Sequence, residues 1–355
     1  MNLQSFRNPH KWRYYRLIWF KHDLPAGLTV FLVALPLCLG ISLASGAPLY
    51  AGILSGVVGG IVVSLLSGSQ LGVSGPAAGL TTVVAASIIS FGDYRVFLLA
   101  VFFAGIFQLL LGLLQLGTVA LYFPSAVIKG MLAAIGIILI SKQIPLSLGY
   151  DQPDFWTEGF IGLFSSNHFY KNFGNFYQHF SVPVVLITIV SLALLVMFGD
   201  FFRRKAKWLP LPLLVVLAGV SLSLLMPMIN PSWALKAGQI VNIPANIFGE
   251  ITTPDFSKLM SDNRIFKDAF TIGLLASLET LLCVEAIDKL DPLKRKTPVN
   301  RELIAQGVGN MACGMVGALP MTAVIVRGAA NVDAGARTRL SAFTHGVFLL
   351  MTVAI

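Results

Sequence analysis

The side chains with most to offer chemically lie in one short stretch, Leu319-Pro-Met-Thr-Ala-Val-Ile-Val-Arg327-Gly-Ala-Ala-Asn-Val-Asp333. An arginine, an asparagine and an aspartate fall there within otherwise apolar sequence. Glu279 interrupts a second apolar run, flanked by Ser277 and Thr280. A guanidinium brings a full positive charge and planar donors that match an oxyanion. A lone carboxylate in apolar surroundings can take a proton, or ligate Na⁺ together with hydroxyl and carbonyl oxygens. Other familiar constellations are absent. Cys38, Cys283 and Cys313 show no CxxC or Cys/His spacing, and the five histidines show no ligand spacing. No Walker, GxSxG or HExxH motif occurs, so ATP coupling, hydrolysis and zinc binding have no support. No enzyme, no cofactor and no metal beyond Na⁺ at Glu279 is expected. His345 reads as a packing residue.

These residues sit in an unusual chain. Hydrophobic residues make up 56% and charged residues 12%, where a soluble domain carries about 25% charged residues. The composition is that of an all-α polytopic membrane protein. Charges at membrane depth are costly and usually mark a substrate path, which makes Arg327 and Glu279 the candidates to explain. The net charge of +9 is spread over loops rather than gathered on one soluble face, so nucleic acid is not an expected partner. Residues 1–22 form a basic, aromatic N-terminal segment with no cleavage-type apolar region. Within it, His10 to Phe20 reads as a helix lying on membrane lipid.

Spanning segments need about 20 apolar residues. They fall near 24–45, 47–66, 96–118, 124–146, 181–201, 208–228, 268–289 and 301–319, with shorter ones near 74–91 and 327–342 and a last from 343. With the N-terminus inside, the inward segments hold the basic clusters of residues 7–21, 203–207, 289–301 and 337–339. The outward segments hold few basic residues, most of them in long loops. The positive-inside rule therefore places the N-terminus in the cytoplasm of a multi-pass protein of the cell (inner or plasma) membrane. Two outward loops are long. Aromatic Ser147–Phe180 reads as an interface anchor, and polar Met228–Lys267 contains the 229–267 linker between repeats.

The two short segments are the informative ones. Gln70-Leu-Gly-Val-Ser-Gly75-Pro76 leads into the first, and Pro76 fits the first turn of a helix, where its missing N–H costs nothing. In the second, the β-branched run reads as extended and turns at Arg327-Gly328. Gly75-Pro-Ala-Ala-Gly79 is similar to Arg327-Gly-Ala-Ala-Asn331. Each would be the third segment of its half, if 23–228 is a first repeat and 268–355 begins a second. Paired broken segments in corresponding positions point to a transporter binding site.

At this point the residues resemble a family. Asp23-Leu-Pro-Ala-Gly27 through Leu35-Pro36, Gly46-Ala-Pro-Leu-Tyr-Ala-Gly52, Val73-Ser-Gly-Pro76, Ser277-Leu-Glu279, Asn300-Arg-Glu-Leu-Ile-Ala-Gln306-Gly-x-Gly-Asn310 and Gly317-Ala-Leu-Pro320 with Arg327 look like the SulP (sulfate permease) anion transporters. The resemblance implies two inverted seven-span repeats, divided into a core (spans 1–4 and 8–11 here) and a gate (spans 5–7 here). It implies an anion site between the half-helices of spans 3 and 10, each preceded by a short extended strand. The chain stops inside the eleventh of fourteen spans. It is therefore expected to be part of a longer protein, lacking the last gate helices and the STAS domain that most members carry.

Half-helices that start at mid-membrane aim unpaired N–H groups and positive dipole ends at one spot. Arg327, Gly328 and Ala329 would form one wall of an anion site. Ser74, Gly75, Pro76, Ala77 and Ala78 would form the other, with Leu37 from a first-span segment that the family unwinds. Arg327 could instead pair with Glu279 or Asp333. Glu279, with Ser277 and Thr322, is the candidate for a coupling Na⁺ or H⁺; an acid there resembles a sodium ligand of bicarbonate-transporting relatives. The expected function is secondary active transport or exchange of a small inorganic anion, bicarbonate or sulfate, by alternating access in a homodimer. The alternatives are an anion channel or a neutral, nucleobase-type transporter on the same fold.

Overall fold

The computed structural model describes residues 19–118, 125–150, 155–156, 179–205, 211–236, 239–240, 249, 251–259 and 262–354. Most of the expected interfacial helix at His10–Phe20, all but Trp19 and Phe20, and most of the Ser147–Phe180 loop lie outside them. In chain order, a π-helical turn (Trp19–Asp23) leads into α1 (Leu24–Ala44), then α2 (Leu49–Leu66), which is π-wound over Gly59–Val63. Strand β1 (Ser74–Pro76) and a 3₁₀ turn (Ala78–Leu80) precede α3 (Thr81–Phe91) and α4 (Tyr94–Leu113). Next come α5 (Ser125–Leu148), α6 (Val182–Lys205), α7 (Leu211–Ile229), α8 (Arg264–Leu290) and α9 (Val299–Val316). Strand β2 (Met321–Ala323), α10 (Ile325–Asp333) and α11 (Leu340–Ala354) follow.

Helix limits follow local chemistry. Pro25 sits in the first turn of α1, where no donor is lost. The Asp93 side chain accepts the Arg95 amide at 2.8 Å and starts α4. Glycines in the left-handed region stop α3 at Gly92 and α9 at Gly317. Among the described residues five helices are long and apolar enough to cross a membrane: Trp19–Ala44, Leu49–Leu66, Tyr94–Leu113, Val182–Gly199 and Arg264–Leu290. Large apolar side chains such as Ile89, Val196 and Met228 are exposed, as contact with lipid requires. The chain is a multi-pass membrane protein.

The chain divides into two compact units, Met1–Ile128 with Ile243–Ile355, and Lys129–Asn242. In the first, α4 lies along α8 and α9, and α11 lies along α1 and α2. The α4–α9 crossing is close because a Cβ on Gly307 would stand 2.8 Å from the Gly105 carbonyl oxygen. Small residues let helix backbones approach in this way where lipid supplies no hydrophobic drive. In the second unit α6 packs on α7, and Thr188 Oγ1 donates to the Ser147 carbonyl at 2.9 Å.

β1 and β2 pair antiparallel, with Ser74 opposite Ala323, Gly75 opposite Thr322 and Pro76 opposite Met321. Three expectations change here. Pro76 ends a strand instead of opening a helix. It needs no N–H there, because Asn310 satisfies both backbone groups of its partner Met321, accepting at 2.7 Å and donating at 3.0 Å. The second turn falls at Val324, not at Arg327-Gly328. Val324 is extended (φ −111°, ψ 115°) and Ile325 begins the helix. The first span is helical throughout 24–44, with Pro36 inside it, and is not unwound.

Candidate anion site

The two strands hold the start of the Ala78–Leu80 turn and the start of α10 at one place. α9 fixes the strands from behind. Glu302, Gln306 and Asn310 stand four residues apart on one buried face. Ser67 Oγ donates to Glu302 Oε2. Gln306 Nε2 donates to Glu302 Oε1 at 3.0 Å and to Ser74 Oγ of β1 at 2.6 Å. Asn310 grips Met321 of β2 and donates to Gln108 of α4 at 2.5 Å. In the sequence these three residues form part of the family resemblance and have no separate role. The available signal was polar residues at i, i+4 and i+8 within an apolar span, a spacing that puts them on one helix face.

Arg327 occupies the third position of α10 and is 0% exposed. Nη2 donates to Cys38 Sγ of α1 at 3.2 Å. Among the described residues Nε and Nη1 have no hydrogen-bond partner. The guanidinium lies against β1 at Gly75, where any Cβ would overlap it. A Cβ on Gly56 of α2 would stand 3.8 Å from Nη1. Among the described residues Arg327 makes no ion pair with Glu279 or Asp333, and Asp333 is exposed. A buried guanidinium with two unmet donor positions and no acid beside it has the chemistry of an anion receptor. The first three amides of α10 add donors without intrahelical partners; that of Ile325 is directed at Cys283.

The other named residues divide. Ser74, Gly75, Pro76 and Ala77 are buried around the ribbon, and Ala78 is half-buried. The Gly328 amide is not free: it donates to the Val324 carbonyl at 2.9 Å. Gly328 itself packs on Ile287, and Ala329 is half-buried one residue further along α10. From α1, Cys38 accepts from the arginine, and Leu37 next to it in sequence is half-buried.

Glu279 of α8 is buried facing the other helix start. A Cβ on Gly79 would stand 3.0 Å from its Oε2. The Gly79 amide and the Thr322 hydroxyl turn toward the carboxylate, though the hydroxyl completes no hydrogen bond. Ser277 points elsewhere: two residues along a helix is about 200° of rotation, and its hydroxyl donates to the Gly273 carbonyl at 2.7 Å. The acidic and basic residues at and beyond the end of α8 orient the turn to α9. Asp288 accepts the Thr297 amide and hydroxyl at 2.6 and 2.7 Å, and Asp291 pairs with Arg295 at 2.6 Å.

Two strand-led helix starts, meeting across a short ribbon inside a bundle of spans, define the inverted-repeat class of membrane transport folds. The chain belongs to the sulfate permease family, whose sequence model matches residues 20–355. It is 29% identical over 346 residues to YvdB of Bacillus subtilis (strain 168), which bears a provisional sulfate-transporter name; the match covers 96% of this chain and 61% of YvdB. It is 27% identical over 339 residues to the bicarbonate transporter BicA of Picosynechococcus sp., covering 93% of this chain and 56% of BicA. The chain thus spans little more than half the length of these relatives. The solved transmembrane domain of a cyanobacterial BicA superposes with a TM-score of 0.72 at 26% identity, covering 94% of this chain and 82% of that one. The fold is that of the family's inverted-repeat transport domain.

Proposed function

We propose that the protein carrying this chain moves a small inorganic anion, bicarbonate or sulfate, across a cell membrane by secondary active transport or exchange. The observation that carries the reading is Arg327: fully buried and, among the described residues, without an acid partner and with Nε and Nη1 unmet. An oxyanion accepting at either of these positions would neutralise the charge, so binding offsets a cost the fold otherwise bears. The relatives named for sulfate and bicarbonate transport support the substrate class. The arginine at this position favours an anion over a nucleobase.

In this reading the unit formed by residues 1–128 and 243–355 holds the anion, residues 129–242 belong to the gate, and alternating access moves one against the other in a homodimer. The N-terminus is cytoplasmic. Glu279 is the coupling group, taking H⁺ or Na⁺ with Thr322 as the second oxygen donor; Ser277 does not contribute. The test is uptake of labelled bicarbonate and sulfate into proteoliposomes of the full-length protein, with and without an inward Na⁺ or H⁺ gradient. Wild type should take up one anion, Arg327→Ala should not, and Glu279→Gln should lose the response to the gradient. Equal uptake by a folded Arg327→Ala protein would sink the reading.

A further inference from the structure

α11 carries Ser341, His345, Leu349 and Val353 at four-residue spacing, all buried on one face. His345 is 0% exposed, and among the described residues neither ring nitrogen has a hydrogen-bond partner. The backbone of Ala342 approaches the ring without completing a bond. A buried imidazole left in this state loses its hydration and gains nothing in return. Packing alone would be better served by leucine or phenylalanine.

The same face of α11 reaches the surroundings of Arg327. One turn beyond His345, Leu349 lies over Gly56, and the space in front of Gly56 is shared by Leu349 Cδ1, Cys38 Sγ and Arg327 Nη1. Gly346 packs on Gly60 one turn along α2, which fixes α11 at close range. His345 also lies within electrostatic reach of the Arg327 charge. Two fully buried side chains, from α10 and α11, therefore bring unmet hydrogen-bonding groups to one region.

We propose that His345 is a second anion-binding side chain, donating one ring N–H to the oxyanion that Arg327 holds. A neutral imidazole keeps one N–H in either tautomer. It can thus add a hydrogen bond to a charged acceptor without burying a second cation. The proposal rests on the anion reading of Arg327.

The experiment measures KM for bicarbonate and for sulfate uptake by the full-length protein in proteoliposomes. The variants are His345→Phe, which keeps a ring but no donor, His345→Ala, His345→Asn and, in parallel, Arg327→Ala. Melting temperatures without anion are read alongside. For the transported anion, KM should rise about tenfold in His345→Phe and His345→Ala, and His345→Asn should recover part of that loss. Anion-free melting should not fall in His345→Phe. A purely structural histidine would behave in the opposite way, with lowered melting and wild-type KM. Wild-type KM in either folded donor-free variant, while Arg327→Ala loses uptake, overturns the role of His345 and leaves the anion site standing. Undiminished uptake by Arg327→Ala removes both.

Discussion

At the scale of single residues the decisive feature is the buried Arg327 charge, which has no acid partner among the described residues. Removing Arg327 should make the resting protein more stable, since an apolar side chain of similar volume spares the desolvation cost. Arg327→Met is expected to raise the anion-free melting temperature, equivalent to about 1–4 kcal/mol, and to abolish the further rise that added anion gives wild type. Thermal denaturation with and without sulfate or bicarbonate reads both effects. Gly75 is the second decisive residue. A methyl there would overlap the guanidinium, so Gly75→Ala should displace Arg327 and lose most anion affinity although no donor is removed. Isothermal titration would show it; wild-type affinity in Gly75→Ala would mean that the arginine does not bind anion from this position. That Arg327 and Glu279 stand at membrane depth was legible in the sequence, because each charge interrupts an apolar run, and both are buried. The surroundings of His345 and Cys38 were not. A lone histidine or cysteine in an apolar helix carries no spacing signal, and only the fold shows its neighbours.

At the scale of elements, α9 is the clamp for the strand ribbon. Asn310 satisfies both backbone groups of Met321, whose strand partner Pro76 supplies no N–H. Asn310→Ala leaves a buried donor and acceptor unmet and should cost about 2–5 kcal/mol, read from the detergent-solubilised protein, with transport lost because β2 leads directly into α10. Stability within about 0.5 kcal/mol of wild type would contradict the clamp. The Asp291–Arg295 pair at the α8–α9 turn gives a smaller, pH-dependent effect. Partial burial pushes the Asp291 carboxyl up, but hydrogen bonds and charge from Arg295, with the Leu293 amide, outweigh it and hold the carboxyl below its ordinary range. A group depressed by folding stabilises the fold above its unfolded pKa of about 4, and that contribution fades as pH drops lower. The melting difference between wild type and Asp291→Asn should therefore shrink between about pH 6 and pH 3. Element boundaries show where sequence reasoning stops. The two broken segments were visible from Gly-Pro and from the charged interruption of an apolar run. Their turning points were not, because Val324-Ile325-Val326 favours extended backbone locally, while the α9 clamp and the β1 pairing end the strand at Ala323.

At the scale of the whole molecule, composition and periodicity already fix a multi-pass bundle, and the order of motifs along the chain places it in the sulfate permease family. A partition into residues 1–128 with 243–355 and residues 129–242 is less accessible to sequence, since each unit is assembled from distant spans. If the anion travels with one unit, transport must be limited by conformational exchange on the μs–ms scale, so turnover should stay below about 10⁶ per second. Single-channel steps in planar bilayers would instead indicate a continuous pore. The central claim is narrower than the transport cycle: the Arg327 guanidinium is the protein's receptor for a small oxyanion. Isothermal titration of sulfate and of bicarbonate into the full-length protein and into folded Arg327→Met tests it most directly. Saturable binding of one anion to wild type, absent from the variant, is the predicted result; equal binding to both proteins would contradict it.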